Sequence, residues 1–124
     1  MYNFRLLSRC LILIILIASC SKPLPALEGV DLEVWKADKK GCQGERTKMI
    51  EAIISNKDNL KTLSEMDLVE LLGRPDENQL LERNQKFYKY YLEPGPTCDQ
   101  PVVDPKMLIL RINAMGLTKE TLVK

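Results

Sequence analysis

The chain has 124 residues, with 18 basic against 17 acidic side chains, a formal net charge of +1 and no histidine. Charge so balanced and interspersed gives no general electrostatic hold on nucleic acid and reads as an ordinary solvated surface. The missing imidazole removes the commonest general base, the commonest metal ligand and every His-dependent triad, so an enzyme or a metal site is not expected.

The amino-terminal segment carries Arg5 and Arg9 and no acid, then an apolar run from Leu11 to Ala18. A basic start before a short apolar run is the secretory-signal pattern. Eight or nine residues at 1.5 Å each reach roughly 13 Å, too short for a hydrocarbon core of roughly 30 Å. The run ends in Ile17-Ala18-Ser19-Cys20, which is similar to the lipobox of bacterial lipoproteins. Small residues before the cut let the backbone enter a peptidase site, and the thiol accepts a diacylglyceryl group. Residues 1–19 are therefore read as a lipoprotein signal peptide and Cys20 as the lipidated first residue of the mature chain. Acyl chains contribute about 0.8 kcal/mol per buried CH₂, enough with two or three chains for a firm hold on a bilayer. The covalent lipid is the only non-protein group expected. Ser21 stands where enterobacterial lipoproteins retained in the inner membrane carry Asp, which favours the outer membrane. Residues 20–30, with Pro23 and Pro25, read as a lipidated tether, and 31–124 as a single domain.

Removing residues 1–19 leaves a modest single domain. Cys10 leaves with the signal and Cys20 takes the lipid, so Cys42 and Cys98 remain as an even pair in an oxidising compartment. A disulfide is expected; metal binding fails for want of further ligands. In the loop-entropy model so long a closure stabilises by roughly 4 kcal/mol.

Leu32 to Trp35 opens the domain as a short extended or helical turn, with Trp35 in the core or as a lid rather than stacked on a ligand. From Gly44 to Asn56, Met49, Ile50, Ile53 and Ile54 mark one face of a helix, with Glu45, Arg46, Lys48 and Glu51 largely outside it. Ser64 is a good N-cap with Asp67 three residues on, and Leu63 and Leu68 are spaced for a hydrophobic staple. Leu68, Val69, Leu71 and Leu72 supply a buried face, and Gly73 and Pro75 stop the chain, placing a helix at 65–72. The period then drops to two. Strands are read at Leu80 to Arg83, Lys86 to Glu93, Met107 to Asn113 and Leu117 to Val123, with turns at Asn84-Gln85 and Asn113 to Gly116.

Glu93 to Pro105 holds four prolines and cannot be regular structure. Cys98 would pin it to Cys42. A loop of this length is either functional or a stapled crossover. Candidate partner contacts are Phe87, Tyr91, Thr97, Asp99 and Gln100, with core placement the competing reading for the two aromatics. The expected fold is α+β: two helices packed on a three- to four-stranded antiparallel β-meander, as a two-layer sandwich.

The run from Leu63 to Pro75 followed by an aromatic strand resembles the SmpA/OmlA (BamE-like) family of small outer-membrane lipoproteins. The residues that carry the likeness are Val69, Leu71, Leu72, Gly73, Pro75, Tyr90, Tyr91 and the strand from Met107 into Leu117, over about residues 63–123. The helix–Gly–Pro–strand unit is shared with β-lactamase-inhibitor-protein-like domains. Leu32 to Leu60, the cysteine pair and the proline loop depart from the family pattern. The resemblance implies a periplasm-facing accessory subunit in outer-membrane protein assembly or envelope integrity, with β-barrel assembly components as partners. The alternative is an inhibitor or ligand-sensing lipoprotein sharing only the fold.

Overall fold

The computed structural model describes residues 22–124. The expected signal peptide and Cys20 lie outside the described residues. Among the described residues, three α-helices precede a four-stranded antiparallel sheet: α1 (Leu32–Ala37), α2 (Ile50–Asn56), α3 (Glu65–Leu72), β1 (Glu77–Leu80), β2 (Lys86–Tyr91), β3 (Met107–Ile112) and β4 (Thr118–Val123). The strands form a meander in the order β1-β2-β3-β4.

The capping chemistry around Ser64 sets α3. The Ser64 hydroxyl accepts from the Asp67 N–H, and the Asp67 carboxylate accepts in turn from the Ser64 N–H. Two amide donors that the first turn cannot satisfy internally are thus paired. At the other end Gly73 takes φ +80° and ends the helix. The last carbonyls of this stretch find donors across the core: Trp35 Nε1–H donates to Leu72 O at 3.0 Å and the Tyr90 hydroxyl to Gly73 O at 2.8 Å. Those bonds satisfy the polar tips of two large buried aromatics, whose rings lie 6.0 Å apart. They also fix the helix layer against the sheet. Burial pushes the Tyr90 hydroxyl pKa strongly upward.

The helix layer covers one sheet face. Tyr88 and Tyr90 of β2 and Leu108, Leu110 and Ile112 of β3 point into it, meeting Trp35, Ile53, Leu60, Leu68, Leu71 and Leu72. The strict alternation of buried and half-buried residues in β3 follows from the two-residue period. β1 is a free edge, exposed along its whole length, and its short polar sequence suits that place. The start of β4 is covered instead, because Thr62 N–H donates to Thr118 O and Thr118 N–H to Leu63 O.

Several expectations are corrected. Among the described residues there are three α-helices, because Asp31 caps Val34 N–H and turns Leu32–Ala37 into a helix. The stretch from Gly44 is not continuously helical: a 3₁₀ turn at Thr47–Met49 precedes α2. β1 runs over Glu77–Leu80 and not Leu80 to Arg83, since Arg83 and Asn84 take positive φ in the hairpin connection. In the expected tether, Leu27 is buried, Leu24 and Val30 pack on the core, and the Asn56 amide donates to Glu28 O at 2.8 Å. The packed chain therefore begins well upstream of residue 31.

Ser64→Ala should cost about 1 kcal/mol by loss of the cap. Leu110→Ala should cost roughly 2–5 kcal/mol by opening a core cavity. Urea denaturation of the domain reads both, and a Ser64→Ala value near zero would refute the role given to the cap.

Candidate functional site

The Pro-rich segment between β2 and β3 is held over one end of the sheet by four separate attachments. The first is covalent: Cys42 and Cys98 form a disulfide. The second is a close backbone approach. Gly41, at φ +66°, lies so near the end of β2 that a Cβ there would stand 2.9 Å from Glu93 O. Only glycine fits without displacing backbone. The third is a set of main-chain bonds, Gly95 N–H to Lys40 O and Val102 N–H to Pro94 O, with Leu92 and Glu93 N–H both donating to Lys106 O. The fourth is packing of Gly95 on the Tyr91 ring, where an added Cβ would come within 3.1 Å.

Beneath this platform lies Arg46, whose residue exposure is 1%. Its Nε–H donates to Trp35 O at 2.9 Å, and Nη1 donates to Asp76 Oδ2 at 2.7 Å and to Tyr91 O at 3.2 Å. The guanidinium also lies 4.5 Å from the centre of the Trp35 ring, a cation–π contact in a desolvated place. Asp76 is saturated: Oδ1 accepts from Lys40 N–H and Oδ2 also from Tyr91 N–H. One ion pair thus ties α1, the Lys40 turn, the entry to β1 and the end of β2. Asp38, buried nearby, accepts from the backbone N–H of Gln43 and of Arg46 and holds the chain that presents the guanidinium.

The sequence-predicted contacts fall in two places. Thr97, Asp99 and Gln100 are exposed on the platform beside the disulfide, and Thr97 Oγ1 accepts from Lys40 Nζ at 3.1 Å. Tyr91 lies under the platform, 7% exposed, its hydroxyl donating to Glu77. Its ring is therefore a support for the loop and not a free contact. Phe87 is half-buried on the sheet face away from the helices, opposite Arg111. Four residues of strand, roughly 13 Å, separate it from Tyr91. Ile109 lies diagonally across from it and pairs with Leu122, on the face that also carries the ion pairs Arg111–Glu120 and Lys89–Glu77.

Sequence reasoning missed Arg46 and Asp76. Arg46 reads from the sequence as part of a solvated helix face, and Asp76 as an ordinary surface carboxylate. Neither has a local signal, because their partners lie thirty residues apart. It also passed over Val102 and Val103, which project from the platform; Val103 is 95% exposed. An apolar pair inside a proline-rich loop was the available sign.

No family model, curated protein or solved structure matches the chain.

Arg46→Met should destabilise the domain by about 3–5 kcal/mol, since it leaves a buried carboxylate without its cation. Adding Asp76→Leu should restore only part of that loss, because Lys40 and Tyr91 N–H then lack an acceptor. Full restoration in chemical denaturation would contradict the scaffolding role of Asp76.

The tyrosines predict a response to alkali. The hydrogen bond to Glu77, then burial, pushes the Tyr91 hydroxyl up to about 12. Burial, then the bond to Glu65, pushes Tyr88 up to about 12. Both values exceed the unfolded value of about 10. Their contribution is therefore complete below pH 10 and lost as pH rises through 12. The double variant Tyr88→Phe/Tyr91→Phe should show a smaller alkaline loss in melting temperature; an unchanged loss would refute this.

Proposed function

We propose that this chain is a lipid-anchored, non-enzymatic binding module of the bacterial envelope that faces the periplasm and presents the Glu93–Pro105 platform to a protein partner. The observation that carries the reading is the manner in which the platform is built. Four independent attachments fix the loop, yet Val102 and Val103 are left in solvent at its tip. Ordering a loop in advance reduces the entropy lost on binding, so a pre-fixed apolar tip is suited to recognition. The buried ionic groups, Arg46, Asp76 and Asp38, have their bonding capacity spent on the scaffold, which favours binding over catalysis.

Within this reading the accessory role in outer-membrane protein assembly or envelope integrity is the leading assignment. It rests on the SmpA/OmlA-like helix–Gly–Pro–strand unit and the lipobox. The Phe87–Ile109–Leu122 strip on the open sheet face would give a second contact. The stapled loop favours one other reading, an inhibitor whose tip inserts into a target.

A photo-crosslinker at Val103 and, separately, at Phe87 in cells expressing the full chain tests these alternatives. β-Barrel assembly components should be captured from both positions, with capture from Phe87 reduced by Val103→Asp. Capture of a discrete enzyme or receptor from Val103 alone would overturn the assembly role in favour of the inhibitor.

A further inference from the structure

We infer that the domain rests directly on the bilayer through the end of the sheet opposite the platform, with Met66, Met115 and Leu80 entering the lipid interface. This inference rests on the reading of Cys20 as the lipidated residue. The occupant is the headgroup and upper acyl region of the membrane that holds that lipid.

The strand register defines the two ends. Leu80 pairs with Lys86, Lys86 with Ile112, and Ile112 with Thr118, so these four form a row across one end. Tyr91 and Met107 are paired at the other end, which carries the stapled loop. The α3 N-terminus belongs to the first end, since Glu65 N–H donates to Gly116 O and Ser64 bridges Leu117. The chain that leads back to Cys20 also emerges there. Lys22 to Pro25 line a shallow cavity of about 200 Å³ together with Lys61, Thr62, Leu63 and Asp67.

Chain length then leaves little freedom. Ser21 alone separates Cys20 from Lys22. At no more than about 3.6 Å per residue, the two Cα atoms lie within about 7 Å. Downstream, Leu24 and Leu27 are packed on the core, so slack cannot be drawn from the domain without unpacking it. A membrane holding acyl chains on Cys20 must therefore lie against this end. The same end exposes three large apolar side chains: Met66 at 83%, Met115 at 82% and Leu80 at 76%. The four-strand row spans only roughly 14 Å, so these side chains share one small surface. Exposed apolar groups beside a lipid anchor fit the depth of roughly 5–10 Å at which interfacial apolar groups settle. Lys61 and Lys86 at this end are ion-paired with Asp58 and Glu65. Lys22 and Arg83 at the same end have no ion-pair partner among the described residues, but the covalent anchor and apolar contact do not depend on ionic attraction, so the orientation should persist in high salt.

The test uses the full chain, expressed with its first 19 residues in a bacterial host and purified from membranes. Single variants Met66→Cys, Met115→Cys and Val103→Cys carry an environment-sensitive fluorophore, with Cys42 and Cys98 kept oxidised. Each is placed in phosphatidylethanolamine–phosphatidylglycerol vesicles containing a lipid-borne quencher, and intact mass reads the lipid on Cys20. The expected result is a blue shift and loss of intensity at 66 and 115, with neither at 103, in low and high salt alike. If the mass shows lipid but 66 and 115 emit as in water, the orientation is overturned while the anchor stands. If the mass shows no lipid, the anchor reading itself fails and the inference falls with it.

Discussion

The buried guanidinium of Arg46 is the interaction on which the rest of the arrangement depends. A cation withdrawn from water has to be repaid by close partners. Here these are Asp76, two main-chain carbonyls and the Trp35 ring. These partners come from three segments, around Trp35, Asp76 and Tyr91, so satisfying one charge fixes them and the Arg46 turn relative to one another. Asp76 extends the arrangement by accepting from Lys40 and Tyr91. The Lys40 turn is thereby set, and Gly41 and Cys42 follow it directly toward Glu93 and Cys98. The disulfide closes a contact that the ion pair has already brought into register.

This gives a division of labour within a small domain. The side facing the helix layer is apolar and anchored by the capped α3. One end of the sheet is bonded and covalently closed, and the large apolar groups it exposes among the described residues, Val102 and Val103, are on the loop. The other end carries exposed apolar groups beside the chain leading to Cys20. In the proposed reading, membrane attachment and partner recognition sit at opposite ends of the strands, so neither occupies the surface of the other.

Phe87 and Tyr91 show how strand alternation can mislead. Both lie on the same sheet face, so alternation treats them alike. Which of the two is available to a partner depends on what folds over that face. Gly95 brings the loop down onto Tyr91, which is 7% exposed, while Phe87 is half-buried. Period-two reasoning assigns sides; it does not assign cover.

The sequence by itself determined the parts governed by short-range rules. The helix at 65–72 was legible because Ser64, Asp67 and Gly73 act within a single turn of their targets. The two central strands, the meander and the pairing of Cys42 with Cys98 were legible from alternation and from counting thiols. Tertiary structure alone decided the burial of Arg46 and Asp76, the start of β1 at Glu77 and the packing of the Leu24–Val30 segment. It also decided how closely the loop folds over Tyr91. Each of these turns on a long-range partner: Arg46 finds Asp76, Leu27 finds the core and Gly41 finds Glu93. A charged side chain beside a helical stripe looks solvated from sequence, because the same residue serves as surface or keystone according to what the fold brings against it.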